Sequence, residues 1–296
     1  MGIDLHGLRL LQYAASQAPL GATATIGRQN IHVSDAVLQA VLHLPVGKRY
    51  GPFCEELLIE RFGATSVASF DASDYEQATV VRDFNKPFDH DGAYDTVLDI
   101  GTLEHIFDVS VAFRNVAALC KPDGRIIHAL PANNYSGHGF WQFSPELFFS
   151  LYSESNGFAQ TEVFIAELDD ERHWWKANVP KNGVRVEYTS ASRSYVLVLT
   201  RKQAAQTAQH VQQSDYVANW RGQRLSKPHS TRDQLHTALR RVPLAWRLAD
   251  VIFPLRNSHS DARMHRLSGG NRHFTKLAIS ALIPAAEPIS RPPDSH

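Results

Sequence analysis

Carboxylates, lone glycines and one aromatic loop carry most of the chemistry this sequence could do. Asp71 ends the apolar run 67–70 and opens the turn Asp71-Ala72-Ser73-Asp74-Tyr75. A carboxylate at a strand tip accepts hydrogen bonds from both hydroxyls of a ribose; the same aspartate could equally start the turn. Asp74 is a second candidate for that contact, and Tyr75 could stack on a flat heterocycle. Asp83 closes the run 79–82, where it either meets a ligand or caps its own loop. Glu104 and His105 follow Asp99-Ile100-Gly101-Thr102-Leu103. They would face a site from the rim of a sheet, or supply favourable charge at a helix start. The segment 131–143 mixes Asn134, Tyr135, His138, Phe140 and Trp141 between glycines. Aromatic walls with a few polar groups describe a ligand pocket; the alternative is a cover for the sheet edge. His138 is the candidate general base, because an imidazole titrates near neutral pH. His105 and Glu104 are the other candidates for a catalytic role.

These residues need strand tips to hold them together, and the pattern supplies strands. Short apolar runs at 22–26, 67–70, 79–82, 94–100, 125–130, 162–168 and 195–200 alternate with helical spacing. That alternation predicts a mostly parallel α/β sheet covered on both faces. Ser34 caps a helix running to Leu44, and Pro52 suits the first turn of another, closed by Gly63, that buries Phe53, Leu57, Leu58 and Phe62. Asp108 opens a helix with apolar positions at Val109, Ala112, Phe113, Val116 and Ala117. Lys121-Pro122-Asp123-Gly124 stops it with a tight turn. Ser144-Pro145-Glu146 starts one more, ended by Gly157. Trp174 and Trp175 either line the pocket or pack a C-terminal segment.

The stretch 94–131 resembles the centre of class I S-adenosylmethionine-dependent methyltransferases. The matching residues are Tyr94-Asp95-Thr96-Val97-Leu98-Asp99, then Leu103-Glu104-His105-Ile106, then Leu119-Cys120-Lys121-Pro122-Asp123-Gly124-Arg125. The resemblance implies a Rossmann-like, doubly wound, seven-stranded sheet with S-adenosylmethionine across the carboxyl ends of its first strands, followed by a C-terminal helical extension. It assigns Asp71, with Asp74 and Tyr75, to the adenosyl ribose and base, and Asp83 to the adenine amino group. Gly27, Asp99 and Gly101 would lie along the methionine part. Asn134, Tyr135, Phe140 and Trp141 would hold the methyl acceptor, a small molecule or glycan precursor modified at oxygen or nitrogen. The sequence departs from the family in its glycine loop: Gly27-Arg28-Gln29-Asn30 keeps one glycine, and Gly27 stands further from Asp71 than the usual ~20 residues. An inserted helix, or a first strand elsewhere, would account for that. The weak loop also keeps open a non-catalytic binding module on this fold. A nicotinamide dehydrogenase fits less well, since no Gly-x-Gly-x-x-Gly turn exists.

The 296 residues allow one large domain with an appendage. The expected division is 1–202 for the cofactor-binding domain, 203–283 for the extension and 284–296 for a disordered tail. Formal net charge is zero, which removes the electrostatic case for nucleic acid. No run approaches the length of a membrane span. The basic amphipathic pattern at 235–251 could rest on a membrane surface, and reads better as a cap on the domain. The fifteen histidines are scattered, with no His-x-x-x-His or Cys-x-x-Cys pattern, so no metal is expected. Two apolar-flanked cysteines, Cys54 and Cys120, fit a reducing, cytoplasmic setting.

Overall fold

The predicted alternation folds, in the computed structural model, into one nine-stranded sheet with helices on both faces. The structure describes residues 2–89, 92–181, 184–204, 211–222 and 266–283. In chain order the elements are β1 (Gly2–Ile3), α1 (Leu5–Gln17), β2 (Gly21–Ile26), β3 (Asn30–Ile31), α2 (Asp35–Leu42), α3 (Glu55–Phe62), β4 (Ala64–Asp71) and β5 (Val80–Val81). They continue with β6 (Tyr94–Ile100), a 3-10 turn at Leu103–His105, α4 (Val109–Leu119), β7 (Cys120–Asn133), α5 (Pro145–Leu151), β8 (Phe158–Glu167) and β9 (His173–Ala177). The last are β10 (Ser194–Lys202), α6 (Ser214–Trp220), β11 (Phe274–Ala278) and α7 (Ile279–Leu282).

The sheet order is β11-β9-β8-β10-β7-β6-β2-β4-β5. Strands β5, β4, β2, β6 and β7 pair in parallel, and β10, β8, β9 and β11 pair antiparallel. From β2 the chain steps outward to β4 and β5, then crosses back to β6 and β7. The order therefore reverses between β2 and β6, the position where open α/β sheets bind ligands. All seven expected strands are present. The two additions are β9, which carries Trp174 and Trp175, and β11, which pairs with it. Both tryptophans are buried there, so they pack the C-terminal segment and do not line a pocket.

Two apolar layers hold the sheet. Asp4 caps α1, accepting the Gly7 amide at 2.8 Å, and the helix sets Leu8, Leu11 and Ala14 against Leu98, Ile100 and Ile127. On the other face α4 sets Ala112, Phe113 and Val116 against Val97 and Ile126. Each fully buried leucine, isoleucine, valine or phenylalanine among them contributes about 1.5–3 kcal/mol. The long interval from Gly27 to Asp71 holds β3, α2 and α3, with β3 pairing to β1 in a separate two-stranded sheet. The interval is thus an insertion, and the first strand is where the sequence placed it.

Some local expectations shift. Helix α3 begins after Cys54, not at Pro52, because Phe53 turns aside to lie under the Arg28 guanidinium, 3.9 Å from the ring centre. Lys121-Pro122-Asp123-Gly124 ends α4 but is drawn into β7 as an irregularity, with Asp123 at φ +65° and a register break opposite Tyr94 and Thr96. The sheet also extends past residue 202. Residues 274–278, expected in a helical extension, form its edge strand because Trp174 and Trp175 need an apolar neighbour. The 235–251 pattern and the 284–296 tail lie outside the described residues. Among the described residues no helix is long and apolar enough to cross a membrane.

Candidate active site

The loop after β7 is closed by its own backbone. The Phe143 amide donates to the Pro131 carbonyl at 2.8 Å, the Tyr135 amide to Gln142 Oε1 at 2.8 Å, and the His138 amide to the Tyr135 carbonyl at 3.0 Å. The folded loop then docks on the turn after β6 chiefly at one carbonyl. The Glu104 carbonyl accepts both the Phe140 amide, at 2.8 Å, and the Trp141 amide, at 3.2 Å. Trp141 Nε1 adds a bond to the Ile106 carbonyl at 2.9 Å. Gly139 makes this contact possible: a Cβ there would stand 2.8 Å from the Glu104 carbonyl oxygen and 2.9 Å from Glu104 Cγ.

Docking brings together the three residues expected to do chemistry. Glu104 Oε1 lies 3.8 Å from His105 Nε2 and 3.7 Å from His138 Nε2. The two imidazole rings stand 5.4 Å apart. The Glu104 side chain is 1% exposed, and neither of its oxygens has a hydrogen-bond partner. Burial, helped by the nearby Asp99 charge, pushes its carboxyl pKa up to about 8. The His105 pKa is pulled down, first by burial and then by His138. A cavity of about 290 Å³ opens beside this trio, bounded by Gly2, Asp4, His32, Gly101, Glu104 and His138. It sits at the carboxyl end of β6, next to the reversal of strand order. Gly139→Ala should disturb the docking without disturbing the sheet. Amide exchange at Phe140 and Trp141 should speed up by about tenfold or more, while β6 and β7 stay protected; unchanged exchange at both would refute the docking on the Glu104 carbonyl.

The other expected site residues are dispersed. Gly101, at φ +75°, lines the cavity, where a left-handed conformation favours glycine. Asp71 stands at the tip of β4, its Oδ1 accepting the Ser73 amide at 3.3 Å. Asp74 is exposed, and Tyr75 is 89% exposed and faces solvent. Asp83 Oδ1 takes the Asn85 amide and side chain, at 3.0 and 2.9 Å, and Oδ2 pairs with Lys86, so it caps its own turn. Those bonds also lower its pKa. Asp99 points into the core: Oδ2 meets His128 Nδ1 at 2.7 Å, and Oδ1 accepts the Thr102 and Leu103 amides. It shapes the turn that carries Glu104 rather than lining the cavity.

Asn134 donates to the Ser190 and Ser192 carbonyls, tying the loop down. Tyr135 is buried against Tyr195, rings stacked at 5.4 Å. Phe140 is 66% exposed and touches Phe107. These aromatics therefore build and flank the loop, and only its histidine reaches the cavity.

Gly27 has φ +72°, and a Cβ there would come within 2.7 Å of Thr102 Oγ1. Its amide donates to the Phe70 carbonyl, so this glycine serves close packing between strand ends. Beside it, Arg28 reaches Glu55 at 2.7 Å and the Glu76 carbonyl at 2.6 Å. Gln29 is buried against the Ile26 carbonyl. Sequence reasoning missed Asp4, His32 and Gly139. The first two reach the cavity only through the β1–β3 pairing, a contact between segments with little local signal. Gly139 was visible as a glycine, but nothing local showed what it would touch.

The donor set suits a ribose-bearing cofactor: Asp71 offers carboxylate lone pairs at the tip of β4, and Gly101 leaves room for a close backbone approach in the cavity. The position of the usual glycine loop is instead filled by Arg28 and Gln29.

Residues 43–241 match a family described as a methyltransferase domain. No curated protein matches the sequence. Among solved structures, the chain is similar to the N-methyltransferase NodS of Bradyrhizobium japonicum, at 12% identity and a TM-score of 0.37, over 67% of this chain and 94% of that one. It is similar to phosphoethanolamine N-methyltransferase 2 of Haemonchus contortus, at 10% identity and a TM-score of 0.39, over 67% and 53%. It is also similar to the 1,6-didemethyltoxoflavin-N1-methyltransferase of Burkholderia thailandensis, at 15% identity and a TM-score of 0.35, over 68% and 78%.

Proposed function

Because this chain belongs to the methyltransferase-domain family, and is an S-adenosylmethionine-dependent enzyme, we propose that it methylates a small molecule or glycan precursor in the cavity at the end of β6. The observation that carries this reading is the convergence of Glu104, His105 and His138 beside Gly101, at the reversal of strand order. Bound S-adenosylmethionine supplies an already activated methyl group on a sulfonium. The protein's part is then placement, which can contribute about 7–11 kcal/mol when reacting atoms are held in line. Asp71 holds the ribose hydroxyls, and Gly101 lets the backbone approach the methionine part. His138 and His105, half exposed at the cavity mouth, face the acceptor.

Calorimetric titration with S-adenosylmethionine and S-adenosylhomocysteine tests the cofactor half. Wild-type protein should bind both, and Asp71→Ala should weaken S-adenosylhomocysteine by about 10–100-fold, the worth of a charge-assisted hydrogen-bond pair. Affinity unchanged in the variant would remove Asp71 from the site.

A further inference from the structure

We propose that Glu104, His105 and His138 form a binding site for one divalent transition-metal ion, held at the cavity mouth with open positions toward the acceptor. The acceptor clause rests on the function proposed above; the metal site itself rests on the geometry. The three ligand atoms lie within 4.8 Å of one another. Glu104 Oε1 is 3.8 and 3.7 Å from the two imidazole Nε2 atoms. Those separations are too long for hydrogen bonds. They are close to what a shared metal requires, since ligands at 2.0–2.2 Å in a tetrahedral shell stand about 3.3–3.6 Å apart.

The second observation is the state of Glu104. Its side chain is 1% exposed, and both oxygens lack a hydrogen-bond partner. Protonation does not resolve this, because a neutral carboxyl acquires an O–H donor that also needs a partner. A cation between the carboxylate and the two imidazoles satisfies it. The burial is one-sided: His105 and His138 side chains are 41% and 44% exposed. A metal on them would have protein behind it and cavity or solvent in front, the arrangement of sites that keep a coordination position open.

Donor chemistry narrows the ion. Two neutral nitrogen donors and one carboxylate suit zinc, cobalt, iron or manganese, and suit magnesium or calcium poorly. An open position would take the acceptor through oxygen, lowering the pKa of a bound hydroxyl. An amine held the same way would have its lone pair occupied. The proposed acceptor atom is therefore an alcohol or phenol oxygen. The backbone already serves the site, since Gly139 and the two amides on the Glu104 carbonyl fix the loop that delivers His138.

The test uses chelator-treated, full-length protein titrated with Zn2+ by calorimetry and with Co2+ by visible absorption, without cofactor or acceptor. One equivalent of Zn2+ should bind, and Co2+ should show absorption bands of a nitrogen- and oxygen-ligated ion. Glu104→Gln and His138→Ala should each weaken Zn2+ by at least tenfold and remove the Co2+ bands. The His138 variant changes only a loop residue that is half exposed, so it reports on binding without threatening the fold. S-adenosylhomocysteine affinity measured in chelator should stay within about threefold in both. No Zn2+ binding up to about 1 mM, or one equivalent retained by both variants, overturns the metal site. If Zn2+ fails while S-adenosylhomocysteine binds, only the metal inference falls. If Zn2+ binds as stated and the cofactor does not, the proposed function falls and the metal site stands.

Discussion

Asp99→Ala should lower the melting temperature by about 6–20 °C, the equivalent of 3–5 kcal/mol for breaking a fully buried, hydrogen-bonded Asp–His pair in a domain of this size. The side chain is fully buried and fully used. Oδ2 meets His128 Nδ1 at 2.7 Å, and Oδ1 accepts the Thr102 and Leu103 amides. His128 Nε2 in turn stands 2.6 Å from the Tyr152 hydroxyl. With the Nδ1 proton facing Asp99, Nε2 accepts from tyrosine, whose pKa burial and the Asp99 charge hold well above its usual value. Removing the carboxylate strands an imidazole among Phe113, Phe148 and Tyr152, and strands two amides at the turn before Glu104. Asp99→Leu combined with His128→Leu should recover much of the loss, since an apolar pair leaves no orphan in the core. Thermal unfolding of the three proteins decides the matter. A fall of less than about 2 °C for Asp99→Ala would contradict the network as described.

Glu104→Gln should reduce methyl transfer by at least about 100-fold with any acceptor the wild type turns over, the usual scale for losing a charged group at a reacting centre. Shape and backbone are retained, so S-adenosylhomocysteine affinity should change little. Stability should move the other way. In metal-free protein the carboxyl pKa is raised from 4.5 to about 8, so the native state keeps a proton that the unfolded chain releases. Stability therefore falls as pH rises through that window, by a few kcal/mol at most. Chelator-treated Glu104→Gln should match the wild type near pH 5 and melt several degrees higher near pH 8.5. Equal melting temperatures across that range would show that Glu104 is not buried without a partner.

The frame was legible because its signals are local. Seven strands announced themselves through runs such as 94–100 and 125–130, and α4 through the spacing of Ala112, Phe113 and Val116. The candidate trio was nameable by residue type: Glu104, His105 and His138 stand together in the structure, with Glu104 and His138 on the cavity wall. What could not be read was contact between distant segments. The short strand Gly2–Ile3 finds Asn30–Ile31 and delivers Asp4 and His32 to the cavity, yet two-residue strands carry no periodicity. Arg28 and Gln29 looked like a failed glycine loop; the structure uses Arg28 as a strut to the segment after β4 and Gln29 to tie the end of β2 to Thr102. Asp83 and Asn134 have the right types for ligand contacts, but their bonds go to neighbouring turns, a choice that local sequence leaves undecided.

The edge strand at Phe274–Ala278 has a bearing on how the protein is made. During synthesis the first eight strands of the sheet emerge well before their last partner. Until residue 278 leaves the ribosome, the outer side of His173–Ala177 offers unpaired backbone and a tryptophan to any neighbouring chain. Premature termination after β10 would make that exposure permanent, so such fragments should be prone to clumping and dependent on chaperones.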